Sequence, residues 1–149
     1  QKLVIVGDGP DRARLQALDQ NRDVIFTGSL SGRNLAEAYA SADVFVFASQ
    51  VETFGNVVLE AMASGLPVVA YDYACAHQYV QHGVTGWLSP VGQPATFIHN
   101  MRQLPAAMML RQMGRLARQR VKQDGWQFPV QQMEQALYRV VKEPYMTSF

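Results

Sequence analysis

DVFVFASQVETFGNVVLEAMASGLPVVA, residues 43–70, holds a strand, a turn, a helix and a second strand in one run. The apolar stretch Asp43-Val44-Phe45-Val46-Phe47-Ala48 reads as a buried strand, with Val44 to Phe47 at its centre. Val57 to Ala63 reads as a helix that opens near Asn56 and stops at Ser64-Gly65. Pro67-Val68-Val69-Ala70 reads as a further strand, Pro being tolerated at its first position. Two glutamates eight positions apart, Glu52 and Glu60, bracket the turn and the helix start. A strand, a glycine-containing turn and a helix N-terminus make an anion site, because first-turn N–H groups lack intrahelical partners. A carboxylate on either side adds acceptors suited to hydroxyl groups. A phosphate flanked by diols describes a nucleotide sugar.

The same alternation extends in both directions. Leu3 to Val6 is a short strand ending at Gly7-Asp8-Gly9-Pro10, and a helical stretch with Leu15 and Leu18 on one side follows. Val24-Ile25-Phe26 is a second strand closed by Gly28. Ser31 or Asn34 is placed to cap a helix through Leu35, Ala38 and Tyr39. Gly86-Trp87-Leu88 is a candidate fifth strand. From Pro94 onward the pattern is helical, with pieces near residues 95–104, 106–123 and 129–141. Strands alternating with helices indicate an α/β fold, an open parallel sheet with helices on both faces and an all-helical C-terminal part. The apolar strands imply burial on both sides. Ligands of such sheets sit outside the carboxyl ends of the strands. Gly7-Asp8-Gly9, Gly28-Ser29, Ser49 to Gly55 and Tyr71-Asp72 all fall at that edge.

Length and composition set bounds. A chain of 149 residues, 48% hydrophobic, fits one domain over residues 1–149 with a real core. A net charge of +1 gives no reason to invoke nucleic acid. The one cysteine, Cys75, has no internal disulfide partner, which favours a reducing cytoplasm. No apolar run approaches the roughly 20 residues of a membrane span, and no signal peptide is visible. The chain begins inside a strand without an initiator Met, and a domain cut from a longer enzyme is the expectation.

Glu52, Glu60 and the run Ala61-Met62-Ala63-Ser64-Gly65-Leu66-Pro67-Val68-Val69 resemble the donor-binding half of the group 1 retaining glycosyltransferases, which are built from two Rossmann-like domains (the GT-B architecture). Val6-Gly7-Asp8-Gly9-Pro10, Phe26-Thr27-Gly28, Tyr39-Ala40-Ser41-Ala42-Asp43, Gly83-Val84-Thr85-Gly86 and Trp126 extend the resemblance over nearly the whole chain. It implies a Rossmann-like sheet and hexosyl transfer from a nucleotide diphosphate sugar to a carbohydrate or lipid acceptor held by an absent N-terminal domain. Glu52 resembles the catalytic glutamate that accepts hydrogen bonds from the transferred sugar and steadies charge at its ring, not a covalent nucleophile. Phe54, Gly55, Asn56 and Val57 resemble the turn whose backbone amides meet sugar and diphosphate, and Glu60 the residue on the ribose diol. Gly28, Ser29 and Leu30 resemble the edge lining the nucleobase, with Gly7 also facing the ligand. The implied donor is a UDP- or GDP-sugar, with no further cofactor and no metal. The family's Arg and Lys diphosphate clamp lies upstream of the matched stretch, and the only lysines are Lys2, Lys122 and Lys142. Weak donor binding without turnover is therefore expected of these residues alone.

Blander readings stand beside these. Glu52 and Glu60 by spacing alone are two solvated carboxylates near a helix start. Gly7-Asp8-Gly9-Pro10 lacks the third glycine of a dinucleotide fingerprint and reads as a turn. His77, His82 and His99 form no metal-ligand spacing and receive no role. Asp72 either reaches the cleft or caps a helix, and Cys75 reads as a small buried residue. Arg111, Arg115, Arg118 and Lys122 share a helix face opposite Leu110, Met113, Ala117 and Val121. That stripe is a solvated face, or a peripheral contact with the inner face of an anionic membrane. Trp126, Phe128 and Tyr138 read as core contacts. Two rival functions remain open: a sugar phosphorylase or epimerase on the same architecture, and a non-catalytic nucleotide-binding module.

Overall fold

A computed structural model describes residues 2–19 and 23–123. The helix expected over 129–141 and the aromatics Trp126, Phe128 and Tyr138 lie outside the described residues. The chain divides into two compact units, residues 1–41 and 42–149.

The first unit holds β1 (Leu3–Val6), α1 (Arg12–Leu18), β2 (Val24–Gly28) and α2 (Gly32–Ser41). β1 and β2 pair in parallel, with a register shift between Ile5 and Val6. Ser31 precedes α2 and its carbonyl accepts from Leu35 N–H at 3.4 Å. Burial of these strands on both sides is not observed: Leu3, Val4, Val6 and Ile25 are exposed. The reason is local, since β1 pairs with β2 alone among the described residues and neither α1 nor α2 buries a residue.

The second unit carries β3 (Phe45–Phe47), α3 (Asn56–Ala63), β4 (Val68–Tyr71), α4 (Ala74–Tyr79), β5 (Gly86–Ser89), α5 (Pro94–Arg102) and α6 (Ala107–Gln123). Its sheet runs β3-β4-β5, parallel throughout, with Phe47 opposite Ala70 and Tyr71 opposite Ser89. Every described strand pair is thus parallel, as expected, and the chain ends its described part in helices. β4 is the central strand and is buried at all four residues. Alternate residues of a strand point to opposite faces. Val69 and Tyr71 meet Phe97 of α5, with Tyr71 and Phe97 rings stacked at 4.8 Å. Val68 and Ala70 point the other way and are also fully buried.

Sequence chemistry explains the α3 boundaries. Gly55 precedes it with φ 88° and ψ 50°, a left-handed conformation that costs a Cβ-bearing residue about 1–2 kcal/mol. At the other end Gly65 N–H donates to Met62 O at 2.9 Å and Leu66 N–H to Ala61 O at 3.0 Å. This is the paired C-terminal closure that a left-handed glycine permits. α6 buries Leu110, Met113 and Ala117 and exposes Arg111, Arg115, Arg118 and Lys122, as the spacing implied. α4 was not foreseen: its N-cap Tyr73 is extended and offers no side-chain cap, and Ala74 takes φ 47°.

Candidate functional site

Parallel pairing brings the carboxyl ends of β3, β4 and β5 to one edge of the second unit. The loop after β3 runs from Ala48 to Gly55 and carries Glu52. Glu52 is half-buried, and its carboxylate makes no hydrogen bond or ion pair with any described residue. Its Cγ lies 3.8 Å from the position a Cβ on Gly55 would occupy. Phe54 and Asn56 are exposed, Gly55 and Val57 half-buried. Glu60 is exposed one turn into α3, and its carbonyl accepts from the Ser64 N–H and hydroxyl at 3.0 and 2.8 Å.

α3 has no side-chain cap. Its first-turn N–H groups at Asn56 and Val57 precede any intrahelical acceptor, so they face the loop as unpaired donors. The left-handed Gly55 turns the chain sharply enough to set the Glu52 loop beside those donors. Glu52, Phe54, Gly55, Asn56, Val57 and Glu60 therefore share one continuous strand–turn–helix segment. It presents two carboxylates as acceptors and a short array of backbone donors.

Neighbouring loops fix this segment. Cys75 N–H donates to Phe54 O at 2.9 Å, joining the start of α4 to the turn. Gly92 N–H donates to Gln50 Oε1 at 3.3 Å, joining the loop after β5 to the loop after β3. Asp72 N–H donates to Ser89 O at 2.8 Å, and buried Asn100 Nδ2 donates to Ser89 Oγ at 2.9 Å. Burial pushes the Cys75 thiol up to about 11, with a backbone hydrogen bond to Leu59 opposing the shift. It is a packing residue, as the sequence suggested. Asp72 stands just beyond β4, and its Oδ1 lies 2.7 Å from His77 Nδ1. The sequence reading gave His77 no role, because an acid and an imidazole five positions apart across an unforeseen helix start match no spacing rule.

In the first unit the other expected residues gather at the carboxyl ends of β1 and β2. Gly7 N–H donates to Gly28 O at 2.8 Å. Gly7 and Gly28 have φ 129° and 73°. Gly28 is buried, Ser29 exposed and Leu30 half-buried. Arg12, unflagged by the sequence, reaches Asp8 Oδ2 at 3.3 Å and Phe26 O at 3.4 Å beside them. An open depression lined by Gln16, Asp19, Val24 and Phe26 contains none of the expected site residues. Among the described residues no group of His, Cys, Asp and Glu is arranged to hold a metal ion. No helix among them is long and apolar enough to cross a membrane.

An α-mannosyltransferase of Mycobacterium tuberculosis described as GDP-mannose-dependent is 53% identical over 92 residues, covering 62% of this chain and 24% of that protein. The sulfoquinovosyl transferase SQD2 of Arabidopsis thaliana is 39% identical over 129 residues, covering 84% of this chain and 25% of its own length. The chain thus spans about a quarter of these relatives. The structure of sucrose-phosphate synthase from Thermosynechococcus elongatus superposes with a TM-score of 0.74 at 33% identity, covering 94% of this chain and 38% of that one. The sequence model described as "Glycosyl transferases group 1" matches residues 1–106. With that match spanning more than half of its length, the chain belongs to the glycosyl transferases of group 1.

Proposed function

We propose that this chain is the donor-binding part of a retaining, cytoplasmic glycosyltransferase that uses a nucleotide diphosphate sugar. The observation that carries the reading is Glu52: a half-buried carboxylate with no described partner, at the strand edge where α/β folds bind ligands. Immediately after it, a left-handed glycine aims the unpaired amides of α3, and Glu60 follows one turn on.

In this reading the diphosphate lies against the first turn of α3, where peptide dipoles favour negative charge. Glu52 accepts hydrogen bonds from the sugar hydroxyls and steadies positive charge at the ring as the leaving group departs. Glu60 accepts from the ribose diol. Phe54, Gly55, Asn56 and Val57 supply backbone contacts to the sugar and diphosphate. Stabilising the departing diphosphate matters more than a strong base, because fixed donors act where charge develops. Backbone amides need no metal, so transfer is expected to be metal-independent. The base is uracil or guanine; the GDP-mannose dependence named for one relative supports guanine without excluding uracil.

The acceptor, a carbohydrate or lipid, belongs to a separate domain, so these residues alone are expected to bind donor weakly and not to turn over. The free Cys75 fits a reducing compartment. The exposed basic stripe of α6 is assigned to solvent, and absence of salt-sensitive sedimentation with anionic liposomes is the expected check. The test of function is sugar transfer by the full-length protein with Glu52→Gln and Glu60→Gln. Glu52→Gln is expected to lower kcat at least tenfold, and Glu60→Gln to raise the donor KM roughly tenfold, as loss of charge-assisted hydrogen bonds implies. Transfer unaffected by both substitutions contradicts the reading.

A further inference from the structure

No Lys or Arg occurs from residue 34 to residue 101. The whole β3–β4–β5 sheet, α3, α4 and nearly all of α5 fall in that interval. Among the described strands and loops of the second unit, a diphosphate bound at the carboxyl edge of this sheet therefore finds cationic character only from histidine. His82 lies just ahead of β5, at its amino end, and its Nδ1 already accepts the Leu88 N–H at 3.1 Å. His99 lies in the second half of α5, which leads away from the carboxyl edge of β5. His77 remains.

His77 is on α4, yet its ring is drawn back past the helix start to Asp72, the first residue beyond β4, at 2.7 Å. A carboxylate only accepts, so Nδ1–H donates to Asp72 Oδ1, and Nε2 is a second donor only in the imidazolium, where both ring nitrogens carry protons. The approach depends on Ala74, whose φ of 47° reverses the chain between strand and helix. Non-glycine residues held in this region cluster at ligand sites. The pair is open to solvent, with His77 72% and Asp72 43% exposed, so it is a weak source of stability. Meanwhile Cys75 N–H on Phe54 O ties the same turn directly to the Glu52 loop.

The geometry points to His77, positioned by Asp72, as a residue whose imidazolium donates from Nε2 to the diphosphate of the bound nucleotide. Resting on the donor-binding reading above, it names the group that supplies cationic contact on the sheet side. Elements packed against α4 add the other titratable groups: Glu52 in the preceding loop, Glu60 on α3, Tyr71 closing β4 and the buried Cys75. The two carboxylates are acceptors only, so neither is a phosphate donor.

Isotope-labelled chain titrated with UDP and UMP, and with GDP and GMP, tests this by amide chemical shifts, which follow weak binding. Expected is a roughly tenfold weaker diphosphate affinity in His77→Ala, the loss of one charge-assisted hydrogen bond, with the monophosphate unchanged. His77→Gln, whose amide places a donor near the lost Nε2, is expected to recover most of the affinity. Asp72→Asn is expected to fall between. Both residues are exposed, so wild-type thermal melting is expected of every variant. Saturable diphosphate binding that is equally tight in His77→Ala overturns the assignment. So does an equal loss for monophosphate and diphosphate. Absence of saturable binding by any nucleotide in the wild-type chain instead overturns the donor-binding reading on which the assignment rests.

Discussion

The Cys75 N–H donates to the Phe54 carbonyl at 2.9 Å, and a Cβ on Gly55 would stand 3.7 Å from the Cβ of Cys75. The turn that precedes α3 is therefore pinned by the start of α4. On its other flank Gln50 receives the Gly92 N–H. Three loops from three adjacent parallel strands hold one another, and the half-buried Glu52 sits in the loop after β3, to which the other two are bonded. A loop so tied is pre-organised, which reduces the ordering entropy that binding must overcome.

Gly55→Ala separates conformation from space. The nearest atoms to an added Cβ are 3.7–3.8 Å away, ordinary contact, while φ is +88°. Destabilisation of about 1–2 kcal/mol in urea unfolding is expected from the backbone alone. Loss of nucleotide binding should exceed that loss of stability, because the α3 amides turn away.

Gly114→Ala should be the more damaging change. A Cβ there runs into the carbonyl oxygen of Gly65, a backbone atom at the α3–β4 turn. Overpacking against backbone is expected to cost about 3 kcal/mol. Gly92→Ala, with φ +79° and nothing within 4 Å, is the control at about 1 kcal/mol. Equal denaturation midpoints for the two variants would refute the close approach of α6.

Asn100→Ala removes the donor to Ser89 Oγ at 2.9 Å and to Leu88 O at 3.3 Å. Ser89 is fully buried, so its hydroxyl loses its partner without access to water. About 2 kcal/mol of destabilisation is expected by chemical denaturation.

Cys75 gives a pH signature. Its thiol is raised from 9.0 to about 11 by burial. A group raised in the folded state contributes fully below pH 9 and loses that contribution as pH rises towards 11. Stability is expected to fall by about 2 kcal/mol at most across that window, and the wild-type minus Cys75→Ala difference isolates it. Native protein should also resist alkylation by iodoacetamide at pH 8 and react once unfolded.

How far the sequence led depended on how much local chemistry each segment carries. Val68 to Tyr71 is an uninterrupted apolar run between Pro67 and Asp72, and it is the fully buried central strand. Ser64-Gly65 ended α3 where expected, because a left-handed residue was needed there and glycine supplies it. Leu110, Met113 and Ala117 repeat at helical spacing and are the buried face of α6. By contrast Ala74–Tyr79 is six residues long with no capping side chain, too short for a periodicity to register. The apolar β1 resembled a doubly covered strand, whereas three of its four residues are exposed. Pairing and cover are properties of the assembled chain, not of one segment. At the candidate site, the placement of Glu52 before α3 and of Glu60 within it was legible from their spacing within a longer pattern. The Asp72–His77 contact depends on a left-handed alanine, a conformation that residue type does not advertise.

A crystal structure of the chain grown with a nucleoside diphosphate sugar is the most direct measurement. Expected are the Glu60 carboxylate on the ribose diol, Glu52 on hydroxyls of the sugar, and the diphosphate against the Asn56 and Val57 amides. Nucleotide seated elsewhere, with neither carboxylate touching it and no phosphate at the start of α3, would contradict the assignment.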